Sequence, residues 1–340
     1  MKSNKILLSY GSGGKYTREF LQDYILKHFD NQILNLLLDS AVLNFQQERL
    51  AFSIDSYTVT PIFFPGGDIG KLSICGTIND LLCVGADPEF IGVSLIIEEG
   101  IETETIEKIL LSIKEVSQKE NVLIVTGDTK VVEVGSCDKI FITTAGIGRI
   151  KKNLKFSYGR IEEGDVIIIT GNIAEHGIAL LLARGAYGFE YNIQSDCASL
   201  KSLFKDIFNN ENIASHIKFL RDPTRGGISS ALNEILMYRE DIGFEVYEEK
   251  VPISENVRYI CELLSIDPFD VANEGKMILI VSKNKSEEIL EVLRKHPLGK
   301  NAAIIGEVVS VNKGKVLLNT IYGSKRILDM PVGEGLPRIC

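Results

Sequence analysis

The sequence ends in a cysteine, and a thiol at that position is better placed to carry a group than to pack. Cys340 closes the run 337–340 (PRIC), which follows glycine and proline residues within 331–335. Since glycine and proline interrupt helices and strands, residues 329–340 are predicted to form an extended, mobile tail. About twelve extended residues reach roughly 40 Å, enough to cross a small domain. A frayed terminus would have the same sequence pattern.

A set of aspartates stands beside apolar runs, where a solvated charge is not expected. They are Asp39, Asp55, Asp80, Asp128 and Asp222. Buried carboxylates require cations, and oxygen ligands completed by phosphates are the set that Mg²⁺ prefers. Any one of them alone is more typical of a helix cap or a surface charge than of a metal ligand. The sequence therefore predicts a magnesium site only if the fold brings these aspartates together.

Two segments carry side chains suited to phosphate. Residues 127–130 (GDTK) include Lys130, and residues 221–227 (RDPTRGG) include Arg221 and Arg225. Arginine offers bidentate hydrogen bonds, lysine a point charge, and glycine a close approach of the backbone. These segments therefore predict a phosphate site, although salt bridges between two domains would use the same residue types.

A glycine-rich segment, residues 11–14 (GSGG), follows a short strand predicted at 6–8 and precedes Lys15. The backbone N–H groups of Gly13 and Gly14 could face an anion at the start of a helix. A surface turn has the same pattern, and the segment matches neither the Walker motif nor the dinucleotide fingerprint.

Glu274 is the candidate general base. It precedes the apolar run 277–281, a predicted strand, and partial burial at the mouth of that strand would raise its pKa. Asn79 and Asp80 form a polar pair inside an apolar helix predicted over 68–86, opened by Asp68. Such a pair needs a polar or ionic partner inside the protein.

The elements that must position these residues follow from periodicity. Apolar residues recurring at three and four predict helices at 17–29, 68–86, 103–121, 174–184, 227–238, 254–264 and 285–295. Thr17 and Thr103 are candidate caps. Apolar and β-branched runs predict strands at 49–59, 122–125, 139–147, 165–170 and 277–281, with 127–130 interrupting a strand pair. These elements do not alternate as strictly as in a doubly wound sheet, so the predicted fold class is α+β.

A polar segment, 151–164, breaks the hydrophobic rhythm and marks a domain boundary. The predicted domains are 1–150 and 151–328, followed by the tail 329–340. The 340 residues, 45% of them hydrophobic, suffice for two cores. The net charge of −9 without a basic stripe argues against nucleic acid as a partner.

Membrane insertion and export are not expected, because no apolar run reaches the roughly eighteen residues that a spanning helix needs. The six cysteines contain no C-x-x-C pair, and the five before Cys340 are predicted to be buried hydrophobes. A reducing cytoplasm fits this usage.

Six segments together resemble the HypE family of hydrogenase-maturation proteins. They are residues 11–14, 63–86, 127–132, 221–227, 272–276 and 337–340. That family is part of the PurM-like ATP-binding superfamily, with aminoimidazole ribonucleotide synthetase and selenophosphate synthetase. The resemblance implies two α+β domains, ATP and magnesium as cofactors, and a homodimer formed through the sheet of the first domain.

The resemblance also implies residue roles. Metal binding falls to Asp39, Asp80 and Asp222, and catalysis to Cys340, Glu274 and Lys130. Nucleotide binding falls to Asp55, Asp128, Thr129, Gly13, Gly14, Asn79, Arg221 and Arg225. The chain departs from the family pattern at Tyr10, where a histidine is expected, and at Asp39, whose DSAV segment has one acid fewer than the family's DDAAV type.

The implied activity is ATP-dependent dehydration of an S-carboxamide on Cys340 to a thiocyanate, which supplies the cyanide ligands of the nickel-iron hydrogenase. A separate carbamoyltransferase would load Cys340, and an iron-scaffold maturation complex would accept the cyanide. Two alternatives stay open: a small-molecule synthetase of the same superfamily, acting like selenophosphate or aminoimidazole ribonucleotide synthetase, and a nucleotide-sensing scaffold with an anchoring thiol.

Overall fold

The computed structural model describes residues 14–26, 28, 31–45, 48–185, 192–333, 336 and 338–340. Gly13, Tyr10 and the strand predicted at 6–8 lie outside these ranges. In the described part, the strands are β1 Ala41–Phe45, β2 Glu48–Tyr57, β3 Phe63–Phe64, β4 Gly67–Asp68, β5 Ala86–Glu98, β6 Leu123–Val132, β7 Ile140–Ile150, β8 Val166–Ile169, β9 Ile217–Arg221, β10 Gly243–Tyr247, β11 Ile278–Val281, β12 Ala303–Val309, β13 Val316–Asn319 and β14 Lys325–Ile327.

The helices of the same ranges connect these strands. They are α1 Gly14–Phe20, α2 Ile69–Cys83, α3 Thr103–Lys119, α4 Glu175–Ala183, α5 Lys201–Asn209, α6 Glu211–Ala214, α7 Gly227–Leu236, α8 Glu255–Leu264 and α9 Ser286–Lys295. A π-helical turn, Leu21–Leu26, continues α1. In the described ranges the structure contains no helix with the length and apolar character that crossing a membrane requires.

The first half of the chain forms a five-stranded sheet in the order β1-β2-β7-β5-β6. Neighbouring strands are antiparallel except β5 and β6, which are parallel. Helix α2 packs on one face of this sheet, and thirteen of its fifteen residues are buried. Asp68 caps α2, because its Oδ1 accepts hydrogen bonds from Gly70 N at 2.7 Å and Lys71 N at 3.1 Å.

The second half forms a seven-stranded sheet in the order β14-β13-β10-β12-β8-β11-β9. Its central strands β8 and β11 are buried along their whole length, since helices cover both faces. One face belongs to the same apolar core as α2, so this core joins the two sheets. The α+β prediction is confirmed.

Several local predictions need correction. β6 runs unbroken from Leu123 to Val132, so residues 127–130 do not interrupt it. The cap of α3 is Glu102 rather than Thr103, and α1 begins before Thr17. Met330 and Ile339 belong to the predicted mobile tail 329–340 but are buried, so the described part of this tail packs against the rest of the protein. The five cysteines before Cys340 are buried and free, as predicted.

Candidate active site

A cavity of about 590 Å³ collects most of the predicted site residues. Among its lining residues are Asp39, Asp55, Asp80, Arg221, Asp222, Arg225, Glu274 and Cys340. These side chains come from the approach to β1, from β2, from α2, from the turn between β9 and α7, from the approach to β11, and from the tail. Four of the five dispersed acids of the sequence, all except Asp128, therefore converge in one place.

Strand β2 and helix α2 position two of the acids. Ser53 and Asp55 are two residues apart on β2, so they share the face that packs against α2. The Ser53 hydroxyl donates to Asp80 Oδ2 at 2.7 Å. The Tyr57 hydroxyl donates to Asp55 Oδ2 at 3.3 Å. Burial of this packed face holds Asp55 and Asp80 close together.

The acids repel one another in a desolvated space. Burial, and then the nearby Asp55, Asp222 and Asp39, raise the pKa of Asp80 well above its usual value. Burial, and then Asp39, raise the pKa of Asp222 to about 8. Ligand atoms of Asp39, Asp222 and Cys83 all lie within 4.8 Å of one another. Carboxylates so arranged ionise together only beside a cation, and their oxygens suit a hard divalent ion.

The arginines provide positive charge at the same place. Arg221 forms ion pairs with Glu234 and, at 3.5 Å, with Asp39. Its Nη1 is buried and has no hydrogen-bond acceptor among the described residues. The negative charge of a Cys340 thiolate is the strongest influence raising the pKa of Arg225; burial opposes it, and Asp55 and Glu274 add to it. Both guanidinium groups therefore remain charged where an anionic ligand could bind.

The end of the tail is docked at this cavity. The backbone N–H groups of Thr58 and Thr60 donate to the carbonyls of Cys340 at 3.0 Å and Arg338 at 3.2 Å. Arg184 Nη2 donates to the Arg338 carbonyl at 3.0 Å, and His176 Nε2 lies 2.8 Å from the Ile339 carbonyl. These contacts bring the Cys340 thiol to the acids.

Glu274 adjoins that thiol. Burial raises the pKa of Cys340 to about 12; Arg225 opposes this rise and Glu274 adds to it. Burial also raises the pKa of Glu274 well above its usual value, with Asp222 and Asp196 adding to the effect. Its Oε1 is buried without a hydrogen-bond partner in the described structure. A carboxylate so placed can accept a proton from a group carried on the sulfur.

Asn79 does not line the cavity. Its Nδ2 donates to the carbonyls of Ala198 at 3.0 Å and Glu274 at 3.2 Å, and its Oδ1 accepts from Leu200 N at 2.9 Å. The side chain thus supports the backbone of Glu274. Its predicted contact with a nucleotide stays a prediction.

Asp128, Thr129 and Lys130 are not brought to the cavity within one chain. They lie on the exposed edge strand β6, where Lys130 Nζ pairs with Asp128 Oδ2 at 2.9 Å. Gly14 opens α1 with a φ of +74°, and a Cβ there would lie 2.5 Å from the Pro331 carbonyl oxygen. Gly14 therefore permits close packing against the start of the tail.

Sequence reasoning did not single out His176 or Arg184, which hold the tail. Both belong to the α4 region, whose run 176–183 is otherwise apolar. A histidine alone inside an apolar helix was the available signal, because a buried imidazole requires hydrogen-bond partners.

Comparison with known proteins adds independent findings. The family model "AIR synthase related protein, N-terminal domain" matches residues 38–150, and the corresponding C-terminal model matches residues 162–319. A hydrogenase expression/formation protein of Methanocaldococcus jannaschii is 45% identical over 99% of this chain and 100% of its own length. Carbamoyl dehydratase HypE of Escherichia coli is 42% identical over 99% of this chain and 100% of its own.

Solved structures agree. The structure of a HypE–HypF complex superposes with a TM-score of 0.86 at 42% identity, over 92% of this chain and 99% of the matched one. A HypE structure in complex with ATP gives a TM-score of 0.81 at 43% identity, over 99% and 100% of the two chains. The fold is therefore the two-domain PurM-like fold.

Proposed function

The chain belongs to the AIR synthase-related family and, within it, to the HypE carbamoyl dehydratases of hydrogenase maturation, and we propose that Cys340 carries the group that it dehydrates. The substrate is an S-carboxamide on the Cys340 sulfur and the product is a thiocyanate, the source of the hydrogenase cyanide ligands. The observation that carries this proposal is that Cys340 lines the same cavity as Glu274 and the clustered acids.

The chemistry requires ATP because an amide does not lose water spontaneously. Transfer of the γ-phosphoryl group to the carboxamide oxygen converts that oxygen into part of a phosphate leaving group. The nitrogen loses two protons in all, the C–O bond breaks, and the C≡N bond forms. The products are the thiocyanate, ADP and inorganic phosphate, so the oxygen of the lost water ends in the phosphate.

The acids and arginines of the cavity suit the phosphate end of this reaction. Asp39, Asp80 and Asp222 would hold Mg²⁺, which neutralises phosphate charge when bound. Their mutual repulsion inside a buried cavity supports this assignment. Arg221 and Arg225 would contact phosphate oxygens, and the Arg221 Nη1 without an acceptor in the described ranges supports such a role.

Glu274 would accept a proton from the carboxamide nitrogen. Its buried Oε1 lacks a partner in the described part of the chain, and its charge acts directly on the Cys340 thiol. A base whose pKa lies above the usual carboxyl range matches the demands of general base catalysis near neutral pH. Lys130 would handle the second proton.

A homodimer would give Lys130 access to a cavity. The sheet face opposite α2 exposes apolar side chains, namely Leu43, Phe52, Ile54, Phe90, Ile96 and Ile147. Burial of such a face against a second copy is favourable, because contiguous exposed apolar patches commonly mark interaction surfaces. Asp128 and Lys130 pair in register with Ser94 and Ile96 and so belong to the same face. We place Asp128, Thr129 and Lys130 at the partner protomer's site.

Two further partners follow from the state of the thiol. The docked Cys340 is half-buried and the pKa of its thiol is about 12, so it is a poor nucleophile inside the cavity. The tail 329–340 would therefore leave to receive its carbamoyl group from a carbamoyltransferase, the role we assign to a HypF-like partner. It would leave again to give cyanide to an iron scaffold.

The domain division 1–150 and 151–328 is part of this proposal, as is a cytoplasmic location, which the free cysteines support.

The test compares carbamoylated protein with the Cys340→Ala variant after exposure to the same carbamoylating enzyme. We expect ADP release that depends on carbamoylation in the natural chain and none in the variant. A small-molecule synthetase would consume ATP equally in both, and a nucleotide-sensing scaffold would consume it in neither. The near full-length match to HypE proteins does not favour these alternatives.

A further inference from the structure

Helix α4 presents two side chains to the tail. His176, in its first turn, and Arg184, just past its last turn, contact the consecutive carbonyls of Ile339 and Arg338. His176 is fully buried and Ile339 nearly so. A histidine held this deeply against the residue that precedes Cys340 calls for a role, and the chemistry above does not use it.

Hydrogen-bond partners determine the tautomer of His176. A carbonyl oxygen only accepts, so Nε2 carries the proton and donates to Ile339 O across 2.8 Å. Nδ1 is then an acceptor, and the Ser195 hydroxyl donates to it across 2.7 Å. The same hydroxyl oxygen accepts the N–H of Cys197 at 3.0 Å. The imidazole therefore lies within a series of hydrogen bonds that runs from the Cys197 N–H through the Ser195 hydroxyl and His176 to the Ile339 carbonyl.

The surroundings keep this ring neutral and oriented. Burial lowers the pKa of His176, Asp196 opposes that effect, and Arg184 and Lys276 reinforce it. The ring of Phe64 meets the imidazole edge to face, with centroids 5.6 Å apart and planes at 88°. Ser195 is itself held, because its N–H donates to the Pro65 carbonyl at 2.8 Å.

Hydrogen bonds hold the end of the tail from two sides. As in a β-strand, successive carbonyls point in opposite directions, so those of Arg338 and Cys340 face Thr60 and Thr58. The carbonyl of Ile339 between them faces His176. The threonine contacts use backbone N–H groups, with the Thr58 hydroxyl 3.3 Å from the Cys340 oxygen, and Arg338 Nε donates in return to the Thr58 carbonyl at 2.8 Å. On the opposite side, the buried imidazole meets the tail at the Ile339 carbonyl, directly before Cys340, and so favours this register.

We propose that His176 is a positioning residue, whose Nε2–H fixes the register of the tail so that a group on Cys340 is presented to Glu274. This inference rests on the proposed function only for its catalytic consequence. Docking of the unloaded tail is independent of that function.

Two conservative variants separate the hydrogen bond to the tail from the bond to Ser195. In His176→Gln the amide nitrogen reaches the position of Nε2 and can still donate to Ile339. In His176→Asn the amide reaches only the position of Nδ1, keeping Ser195 but losing Ile339. The readouts are the iodoacetamide alkylation rate of Cys340, followed by peptide mass spectrometry, and the dehydration rate of carbamoylated protein.

In His176→Asn the buried Ile339 carbonyl loses its donor, which weakens docking of the tail by about the free energy of one hydrogen bond. We therefore expect Cys340 of this variant to be alkylated about tenfold faster and its carbamoyl group to be dehydrated about tenfold more slowly. His176→Gln should stay within about threefold of the natural chain in both. Equal alkylation in all three proteins would overturn the proposal. Equally faster alkylation of Cys340 in both variants, together with an equal loss of thermal stability, would also overturn it. That result would show that His176 acts through core packing and not through its hydrogen bond to the tail.

Long-range ¹⁵N–¹H spectra of the natural chain provide a test that needs no variant to fold. Among the four histidines, His176 should show the Nε2–H tautomer, and a protonated Nδ1 would refute the assignment. If carbamoylated protein fails to dehydrate while the alkylation rates still separate Asn from Gln, the proposed function fails and the positioning role stands. If dehydration is normal and the alkylation rates cannot be separated, the proposed function stands and the positioning role fails.

Discussion

The backbone N–H of Thr58 donates to the Cys340 carbonyl at 3.0 Å, and the Thr58 hydroxyl lies 3.3 Å from the same oxygen. Thr58 directly follows β2, the strand that carries Asp55. Cys340 is thus hydrogen-bonded to a residue that lies only three positions after Asp55 in the chain. A group on the sulfur would share one cavity with the carboxylates that are assigned to magnesium and with the candidate base.

Glu274→Gln tests the base. The amide keeps the size of the side chain but cannot accept the nitrogen proton, so we expect dehydration to slow by about 100-fold or more. ATP affinity, measured by calorimetry, should change little. Glu262→Gln, at an exposed position on α8, is the matched control and should be active. A normal rate for Glu274→Gln would remove Glu274 from the mechanism.

Lys130→Ala mixed with Glu274→Gln tests the composite site. If Lys130 acts across the dimer, each mixed dimer has one site with both changes and one with neither. Random exchange of subunits then restores about a quarter of the sites, although each variant alone is inactive. The readout is the dehydration rate after subunit exchange. Persistent inactivity of the mixture would show that the two residues serve a site within one chain.

The dimer itself is tested at its proposed face. Ile54 is 61% and Ile147 41% exposed on the side of the sheet opposite α2. Replacing both with lysine places charges in the proposed interface, and sedimentation should show a monomer. Tyr322→Lys, at a residue 89% exposed on the second half of the chain, is the control and should leave the dimer intact. A dimer that survives both lysines must use another surface.

Stability against pH should report the acid cluster. Asp222 has a pKa of about 8 in the folded protein, against about 3.9 unfolded, so the folded state keeps a proton that the unfolded state has released. The free energy of unfolding of metal-free protein should therefore fall as pH rises from about 4 to about 8. Asp222→Asn should flatten this slope in urea titrations, and Mg²⁺ should raise stability most near pH 8. An identical slope in the variant would contradict the assignment.

Periodicity predicted most of the helices and the buried strands. Helices α2, α7 and α9 and strands β8 and β11 appear within a few residues of their predicted bounds, because apolar period and capping agree there. β6 was mispredicted at 127–130, since Gly127 and Asp128 are weak strand formers. Its pairing with β5 outweighs that local preference.

The site was only partly visible in the sequence. Asp39, Asp80, Asp222 and Glu274 line one cavity, and their roles as metal ligands and general base stay predictions. The docking of the tail was not visible, because backbone bonds from Thr58 and Thr60 depend on no side-chain identity. His176 was missed for a related reason: its partner is a carbonyl 163 positions away, and no local pattern records such a contact.

The most direct test of the central claim is the intact mass of carbamoylated protein before and after ATP and Mg²⁺, with the Cys340 peptide sequenced by fragmentation. We predict that this peptide loses the mass of one water as ADP appears. A peptide that keeps its carboxamide, in protein that demonstrably binds ATP, would contradict it.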